Sequence, residues 1–267
     1  MVHFVEIDDP ADSRVDEYRN LKDVAQRVHG TFIAESELVI ERLVQRRFPV
    51  RSLLLTTTRA VRLRERLGPV EATAFVASQA VVDAVVGFAL HRGALALAER
   101  VVLPEPAALL AGCRRIVALE DVVDPDNVGA IFRHAAAFEA DAVLLSTNCG
   151  DPLYRKAVRT SMGWVLSIPY ARVPKGEDLI TKLHTAGFTT VALTPHAEAT
   201  SLRSFRAEPV ARLALIVGTE STGLTDATME AAMHRVRIPT NPDVDSLNVA
   251  SAAAIAMYEL FGVGRTV

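Results

Sequence analysis

The sequence predicts a protein of the α/β class with two domains, the second of which contains a parallel β-sheet. Segments with the apolar pattern of buried strands alternate with segments of helical periodicity, as in parallel sheets covered by helices. Hydrophobic residues make up 50% of the chain but aromatic residues only 6%, so small aliphatic side chains supply most of the packing. A length of 267 residues favours two domains, although one large domain is also compatible with it.

The N-terminal part of the chain predicts a compact α/β unit, because helix-like and strand-like segments follow one another at short intervals. Helical periodicity occurs in residues 35–45 and 78–85. Strand-like apolar segments occupy residues 50–56, 72–77 and 93–102. Together these segments are sufficient for a small sheet with helices packed against it.

Two prolines mark the predicted boundary between the domains. Pro104 and Pro106 lack a backbone N–H and oppose the continuation of a helix or strand. Such segments are common between domains. We therefore predict a first domain of residues 1–106 and a second domain of residues 107–267.

The second domain repeats a unit of strand, loop and helix, which predicts a parallel sheet covered on both faces. Sheets of this kind bind ligands in the loops that follow the carboxyl ends of their strands. The predicted strands are residues 115–119, 142–146, 189–193, 213–217 and 236–238.

Charge is distributed unevenly along the chain. The formal net charge of -3 by itself argues against a nucleic-acid partner. Between residues 42 and 66, however, eight arginines stand against a single acid, Glu65. A solvated helix face explains any one of them, but the run as a whole predicts an RNA-contacting patch, for which we select Arg46, Arg47 and Arg51. The arginine run consists of Arg42, Arg46, Arg47, Arg51, Arg59, Arg62, Arg64 and Arg66.

The cysteines and the apolar segments exclude several other classes of protein. Cys113 and Cys149 have neither metal-ligand spacing nor a neighbouring pair of histidines, which predicts small buried side chains and no metal site. Two lone thiols fit a reducing cytoplasm. The sequence has no run of about 18 apolar residues that could cross a membrane. We therefore expect a cytoplasmic protein without a membrane segment.

The first of three unusual loops follows the strand at 115–119. Pro125 and Asp126 predict a turn, and Asn127 is the predicted cap of the next helix. Gly129 permits another backbone or a ligand to approach, and Arg133 follows on the helix. This loop alone is also explained by a capped helix with one exposed arginine.

The second loop, residues 218–224, follows the strand at 213–217. Gly218 and Gly223 allow the backbone to pass close to a bound cofactor, and a polar role is indicated for Glu220 between them. A tight turn is the alternative. The glycine spacing is that of neither a P-loop nor a dinucleotide fingerprint, which argues against a kinase or a nicotinamide-dependent oxidoreductase.

The third loop, residues 240–249, leads into an alanine-rich helix. Ser246 or Asp245 is the predicted N-cap, and the small side chains at 250–256 predict close packing. Asn248 is expected within the first helical turn, where an asparagine is unfavourable unless its amide is used. Its presence indicates a specific contact.

Taken together, the loops resemble the three motifs of the SpoU (TrmH) family of RNA 2′-O-ribose methyltransferases, in the SPOUT superfamily. The motifs occur in family order and at family-like spacing over residues 115–260. The first motif is Asn127, Gly129, Arg133, Ala135 and Phe138; the second is Gly218, Glu220, Gly223 and Leu224; the third is Ile238, Pro239, Ser246, Leu247, Asn248 and Ala252.

The sequence departs from the family pattern at two positions. Glu139 replaces the usual glycine after Phe138, and we expect a change at the helix end rather than in the chemistry. Residues 30–35 resemble the start of the ribosomal-protein-like RNA-binding domain of many family members, but Ser36 stands where that domain usually has glycine.

The resemblance implies a methyltransferase domain whose parallel sheet carries a trefoil knot, preceded by a smaller α/β RNA-binding domain. It also implies a homodimer, to which the alanine-rich helix at 250–256 could contribute. The knot holds S-adenosylmethionine largely through backbone groups. The implied cofactor-binding residues are Leu193, Thr194, Gly218, Ile238 and Leu247.

The implied reaction is methylation of a ribose 2′-hydroxyl in RNA, with ribosomal RNA as the first choice of substrate and transfer RNA as the second. A non-catalytic RNA-binding member of the same fold is the alternative. No metal is implied, because a sulfonium is already a good leaving group. Since a guanidinium stays protonated, we assign Arg133 to phosphate binding and oxyanion stabilisation, which leaves the proton acceptor open. The implied catalytic residues are Arg133, Asn127, Glu220, Ser246 and Asn248.

Overall fold

The computed structural model divides the chain into two compact units. The first comprises Met1–Val102 and Leu153–Ser167, and the second comprises Leu103–Pro152 and Ile168–Val267. Residues 153–167 therefore pack with the first unit, although they lie within the second predicted domain. The functional domains 1–106 and 107–267 remain a prediction. The structure describes residues 2–19, 21, 27–46, 48–67, 70–205, 211–219, 221–241, 243 and 246–262.

Nine α-helices lie wholly within the described residues, in addition to two short 3-10 helices at Ser13–Tyr18 and Trp164–Leu166. Each α-helix follows a strand in chain order, as the alternating sequence pattern predicts. The α-helices are α1 (Glu37–Val44), α2 (Thr57–Leu63), α3 (Gln79–Val86), α4 (Pro106–Ala111), α5 (Pro125–Ala137), α6 (Arg155–Thr160), α7 (Leu179–Thr185), α8 (Asp226–Ala231) and α9 (Val249–Phe261).

The first unit contains a five-stranded mixed sheet in the order β1-β4-β3-β5-β2. β3 and β4 pair in parallel, whereas β5 runs antiparallel to both β3 and β2. Tyr18 is fully buried beneath this sheet, and its hydroxyl lies 2.8 Å from the Ser52 hydroxyl. The strands are β1 (His3–Glu6), β2 (Thr31–Glu35), β3 (Val50–Thr56), β4 (Thr73–Ala77) and β5 (Ala94–Glu99).

The structure corrects the start of the first predicted helix. Residues 31–35 form the buried strand β2, and α1 begins only at Glu37. Between them Ser36 adopts a φ of 95°, a backbone conformation that favours glycine. This conformation accounts for the glycine that the resembling domains have at the same position.

The second unit contains a seven-stranded sheet in the order β10-β12-β9-β11-β6-β7-β8, in which every pairing is parallel. This confirms the predicted α/β class with a parallel sheet. The sequence pattern missed β8 and β10 because three and two residues are too short to show a period. The strands are β6 (Arg115–Leu119), β7 (Ala142–Leu145), β8 (Tyr170–Arg172), β9 (Thr189–Leu193), β10 (Thr200–Ser201), β11 (Leu213–Val217) and β12 (His234–Arg237).

Helices cover both faces of this sheet, which accounts for the uninterrupted apolar strands. Ile116 and Ala118 belong to a core cluster with Leu110 of α4 and Leu183 of α7. Residues that alternate with them face the opposite side of the sheet, where α5 and α9 pack together. Cys113 is buried in the first of these layers, and both Cys113 and Cys149 are free thiols, as predicted.

The described ranges contain neither a helix suited to cross a membrane nor a cluster suited to bind a metal ion. No helix there has both the length and the hydropathy that are needed to cross a bilayer. Nor does that part of the chain bring together three or more histidine, cysteine or acidic side chains that could hold a metal ion.

Candidate active site at the carboxyl edge of the seven-stranded sheet

The loops singled out in the sequence leave the same edge of the second sheet. Since the strands are all parallel, the loops after β12, β9, β11 and β6 emerge side by side in that order. Neighbouring strands lie about 4.8 Å apart, so these four loops span roughly 14 Å. Thr194, Gly218 and Ile238 each directly follow one of these strands, and Leu193 is the last residue of β9. Four of the predicted cofactor residues are thus neighbours at one edge.

The loop after β9 is tied to the neighbouring strand. The backbone N–H of Thr194 donates to the carbonyl of Val236 at 2.9 Å, and the Thr194 hydroxyl accepts from the N–H of His196 at 3.3 Å. Thr194 is buried, whereas Leu193 and Ile238 are half-buried. The two apolar side chains therefore retain surface that a ligand could cover.

The loop after β11 folds back on itself. The N–H of Gly223 donates to the carbonyl of Thr219 at 3.0 Å, and Gly223 has a φ of 73°. A Cβ on Gly218 would lie 2.5 Å from the carbonyl oxygen of Gly223 and from the nitrogen of Leu224. We predicted that a ligand requires the absent side chain at Gly218. The structure corrects the reason, because the backbone of the loop itself already fills that space. Glu220 lies outside the described residues.

The loop after β6 caps α5 in a way that differs from the prediction. Asp124, not Asn127, is the N-cap, and its carboxylate accepts from the N–H of Asp126 at 2.8 Å. Pro125 occupies the first helical position, where its fixed φ and missing N–H are well tolerated. The helix therefore begins three residues earlier than predicted, and the Asn127 side chain is not used as the cap.

The cap of α9 also differs from the prediction. Asn248 is the N-cap, and its Oδ1 accepts from the N–H groups of Ala250 and Ser251 at 3.0 and 3.2 Å. The prediction of Ser246 as cap is wrong, since Ser246 and Leu247 are exposed residues before the helix. The alternative cap, Asp245, lies outside the described residues.

A hydrogen bond joins the first and third loops. Nδ2 of Asn248 donates to Oδ1 of Asn127 at 2.9 Å, across a separation of 121 residues. α5 and α9 are also in contact farther along their lengths. There the rings of Phe138 and Tyr258 meet edge to face with centroids 6.1 Å apart. Two residues that were predicted to share the site are thus in direct contact.

Arg133 lies on a different face of α5 from Asn127. Six residues separate them, which places their side chains about 120° apart around the helix. Arg133 is exposed and pairs with none of the described carboxylates. The structure therefore leaves its guanidinium accessible but does not bring it onto the Asn127–Asn248 contact.

His134 is half-buried beside Arg133 and the start of α9. Burial lowers the pKa of His134, and the positive charge of Arg133 adds to this effect, while a backbone contact with Ala250 opposes it. The net effect favours the neutral form of the imidazole. Nothing in the sequence pattern marked His134 as a site residue.

The far end of α5 retains an ordinary helix termination despite Glu139. Glu139 itself adopts a φ of 55°, and the N–H of Ala140 donates to the carbonyl of Ala135 at 2.9 Å. The expected change at this helix end is therefore wrong: the glutamate takes the left-handed conformation that a glycine would take.

The loop after β7 is fixed by an arginine that sequence analysis missed. Nη1 of Arg172 donates to the carbonyls of Ser146 at 3.0 Å and Cys149 at 2.8 Å, and its Nη2 donates to Gly150. The Ser146 hydroxyl also donates to the Asp121 carboxylate at 2.5 Å. This loop is thus rigidly attached to the start of the loop that contains Asn127.

The arginine run in the first unit is dispersed among acids from other parts of the sequence. Arg51 lies 2.7 Å from Glu17 and 3.5 Å from Glu99. Arg46 is exposed, and Arg47 lies outside the described residues. Of the three predicted RNA-binding arginines, therefore, one is already shared between two carboxylates.

Other members of the arginine run also have internal partners. Arg66 pairs with Glu41 at 2.6 Å, and Arg59 pairs with Glu37. The guanidinium of Arg42 lies 4.1 Å from the centre of the Trp164 ring. The run therefore forms a network of ion pairs and stacked contacts, a property that the count of one acid between residues 42 and 66 did not reveal.

Comparison with protein families identifies the region that contains these loops. Residues 114–258 match the model of the SpoU rRNA Methylase family. An uncharacterized tRNA/rRNA methyltransferase from Mycobacterium tuberculosis is 43% identical over 94% of this chain and 89% of that relative. Another uncharacterized tRNA/rRNA methyltransferase, from Synechocystis, is 36% identical over 53% of this chain and 50% of its own length.

Solved structures have the same fold. An AdoMet-bound rRNA methyltransferase from Sinorhizobium meliloti aligns with a TM-score of 0.82 over 96% of this chain and 97% of its own, at 24% identity. A structure described as an RNA 2′-O ribose methyltransferase aligns with a TM-score of 0.76 over 96% of this chain and 97% of its own, at 27% identity. The resemblance inferred from the three loops is confirmed.

Proposed function

The chain belongs to the SpoU rRNA methylase family, and from that premise we propose that it transfers a methyl group from S-adenosylmethionine to a ribose 2′-hydroxyl in RNA. Ribosomal RNA is the preferred substrate and transfer RNA the alternative. The observation that carries the proposal is the Asn248–Asn127 hydrogen bond, which joins two family motifs at the ligand-binding edge of the sheet. The structural neighbour described as a 2′-O ribose methyltransferase supports the choice of a ribose oxygen.

The residues at the sheet edge fit the proposed cofactor. Leu193 and Ile238 are half-buried and Leu247 is 36% exposed, so each has apolar surface for an adenine ring. Thr194 and Gly218 begin adjoining loops, because β9 and β11 are neighbouring strands. When bound, S-adenosylmethionine supplies a methyl group on a positively charged sulfur, and this leaving group requires no metal.

We further propose that the end of the second unit forms the trefoil knot. β12 lies on one side of β9 in the sheet. The next helix in the chain, α9, packs against α5, which follows β6 on the other side of β9 and β11. The described ends of this connection, Ile238 after β12 and Asn248 beside Asn127, lie on opposite sides of the two strands that carry Thr194 and Gly218. A crossing segment at this point would close the cofactor site with Ile238 and Leu247.

Asn127 and Asn248 position the reacting segments. Asn248 uses its oxygen to cap α9 and its amide nitrogen to hold Asn127. We assign Asn248 to the geometry of the site rather than to proton transfer, since a side-chain amide does not titrate near neutral pH. Ser246, exposed just before Asn248, is available to contact the nucleotide.

Arg133 supplies the positive charge of the proposed mechanism. Its exposed guanidinium can donate to an RNA phosphate and to the 2′-oxygen as negative charge develops there. Because a guanidinium stays protonated, the hydroxyl proton passes to a different acceptor. Holding both reactants in line supplies the remaining rate enhancement.

We also propose a homodimeric, cytoplasmic enzyme. Ile255 and Tyr258 on α9 are 41% and 64% exposed. Apolar surface of this kind is frequently covered by a partner subunit. The buried free thiols Cys113 and Cys149 fit a reducing compartment.

Methylation of purified RNA tests the function. The protein is incubated with labelled S-adenosylmethionine and either ribosomal or transfer RNA, and the product is subjected to alkaline hydrolysis. A 2′-O-methyl group blocks cleavage at the modified position, so one missing band in the ladder is expected, with Arg133→Ala as control. Label at an alkali-sensitive position would place the methyl group on a base instead. Cofactor binding without transfer to either RNA would favour the non-catalytic alternative.

A further inference from the structure

Glu120 is a buried carboxylate at the carboxyl end of β6. Its exposure is 8%, although it directly follows the strand and precedes the loop that carries Asn127. A buried carboxylate is unfavourable unless donors surround it. Its hydrogen-bond partners therefore indicate what it does in the fold.

Both carboxylate oxygens of Glu120 are bound to the start of α8. Oε1 accepts from the backbone N–H of Thr225 at 2.7 Å, and Oε2 accepts from the hydroxyl of Thr228. Thr225 is the N-cap of α8, and its own hydroxyl oxygen accepts from the N–H of Thr228 at 3.3 Å. A negative charge is favourable here because the first N–H groups of a helix have no partner within the helix.

The backbone of Glu120 is bound to the other side of the same loop. Its N–H donates to the carbonyl of Val217 at 2.9 Å. Val217 is the last residue before the loop that begins at Gly218, and Thr225 is the first residue after it. One residue directly after β6 thus holds both ends of the loop 218–224.

The loop has little freedom to adapt if one of its ends moves. Gly218 has no space for a Cβ, because the backbone at Gly223 and Leu224 lies against it. A displacement of Thr225 would therefore be transmitted to the contact between Gly223 and Gly218.

We propose that Glu120 is a positioning residue, which holds the loop 218–224 in the shape that binds S-adenosylmethionine. The inference rests on the proposed function. Glu120 acts through Thr225 and Thr228 and does not touch the cofactor. A simple helix cap would stabilise α8 without any effect on cofactor affinity, and this difference can be measured.

The test compares Glu120→Ala and Glu120→Gln with a cap elsewhere in the same unit. Asp178 caps α7 and accepts from the N–H and the hydroxyl of Thr181 at 3.0 and 2.7 Å, so Asp178→Ala is the matched control. The dissociation constant for S-adenosylmethionine is measured by calorimetry on protein whose folded fraction is known from thermal unfolding. Hydrogen exchange of the amides in residues 218–224 is measured without cofactor.

We expect Glu120→Ala to weaken cofactor binding at least about tenfold, and to accelerate exchange in the loop. Glu120→Gln should remain within about threefold of wild type, because its amide oxygen still accepts from Thr225 and the Thr228 hydroxyl can turn to accept. Asp178→Ala should change neither quantity. If Glu120→Ala does not fold, Thr228→Val removes one of the two contacts and should weaken binding about threefold.

Wild-type affinity in folded Glu120→Ala, or in folded Thr228→Val if Glu120→Ala does not fold, would overturn the inference. An equal loss of affinity in Asp178→Ala would also overturn it, because the effect would then follow general stability. Both outcomes leave the proposed function intact. Failure of the wild-type protein to bind S-adenosylmethionine would instead overturn the proposed function and this inference with it.

Discussion

The carboxyl edge of the second sheet and the arginine run of the first unit differ in how separation along the chain relates to distance in the structure. At the sheet edge, Asn127 and Asn248 are 121 residues apart in the chain and 2.9 Å apart in the structure. In the arginine run, residues that are close in sequence form ion pairs with acids from distant parts of the chain, as Arg51 does with Glu17 and Glu99. A cluster of charge in the sequence is therefore weaker support for a functional surface than a set of loops that a parallel sheet must bring together.

The largest expected effect is that of Gly218→Val. Its side chain would enter the space held by Gly223 and Leu224, so the loop must move away from the cofactor site. Affinity for S-adenosylmethionine should fall at least about a hundredfold, equivalent to about 2.7 kcal/mol, while the strands still unfold in one transition. Gly112→Val is the control, because a Cβ at Gly112 meets nothing within 4 Å. Undiminished affinity in Gly218→Val would move the cofactor site away from this edge.

Arg133→Lys should have the next largest effect. Lysine keeps the charge but loses the planar group that can bind a phosphate and an oxyanion together. The single-turnover methylation rate should fall at least about tenfold, or roughly 1.4 kcal/mol of transition-state stabilisation, and Arg133→Ala should be slower still. Cofactor affinity should stay near that of wild type in both. A wild-type rate in Arg133→Ala would remove Arg133 from the mechanism.

The arginine run predicts a smaller and unequal effect on RNA binding. Arg46→Gln removes an exposed charge, whereas Arg51→Gln removes one that is already shared with Glu17 and Glu99. We expect Arg46→Gln to weaken RNA binding about threefold and to reduce its salt dependence, with a smaller change for Arg51→Gln. Salt titrations of both variants test this ordering. Equal losses would show that the ion pairs do not mask the charge.

The smallest expected effect concerns the pH dependence of stability at His134. Its pKa is lowered from the ordinary value of 6.5, so the unfolded chain binds a proton more readily than the folded one. The stability that neutral His134 contributes is therefore complete above pH 6.5 and is lost as the pH falls below it. His134→Gln should flatten the decrease in melting temperature between pH 7.5 and about 5.5. Parallel curves for the two proteins would contradict the lowered pKa.

The parallel sheet could be predicted because its strands are uninterrupted apolar runs, as in Leu213–Val217, which is buried throughout. The helix caps could not, because each depends on competing donors and acceptors within a few residues. At α5 a proline moved the start of the helix and made Asp124 the cap, and at α9 Asn248 capped the helix in place of Ser246.

Part of the candidate site could be predicted because the strands that precede it are recognisable in the sequence. Thr194, Gly218 and Ile238 follow strands that the pattern identified, so their shared edge follows from parallel pairing. Glu120 and Arg172 were missed because their partners, such as Thr228 and Cys149, are brought to them only by the fold. An acid directly after an apolar strand was the only local signal for Glu120.

The path of residues 153–167 determines where the protein can be divided. The chain leaves the second unit after Pro152, packs with the first, and returns at Ile168. A fragment that begins at Leu103 would therefore carry Val158 and Val165, buried in the intact protein, without the unit that covers them. Such a fragment exposes apolar surface and is prone to aggregate. Isolating the methyltransferase unit therefore requires removal of residues 153–167 as well as residues 1–102.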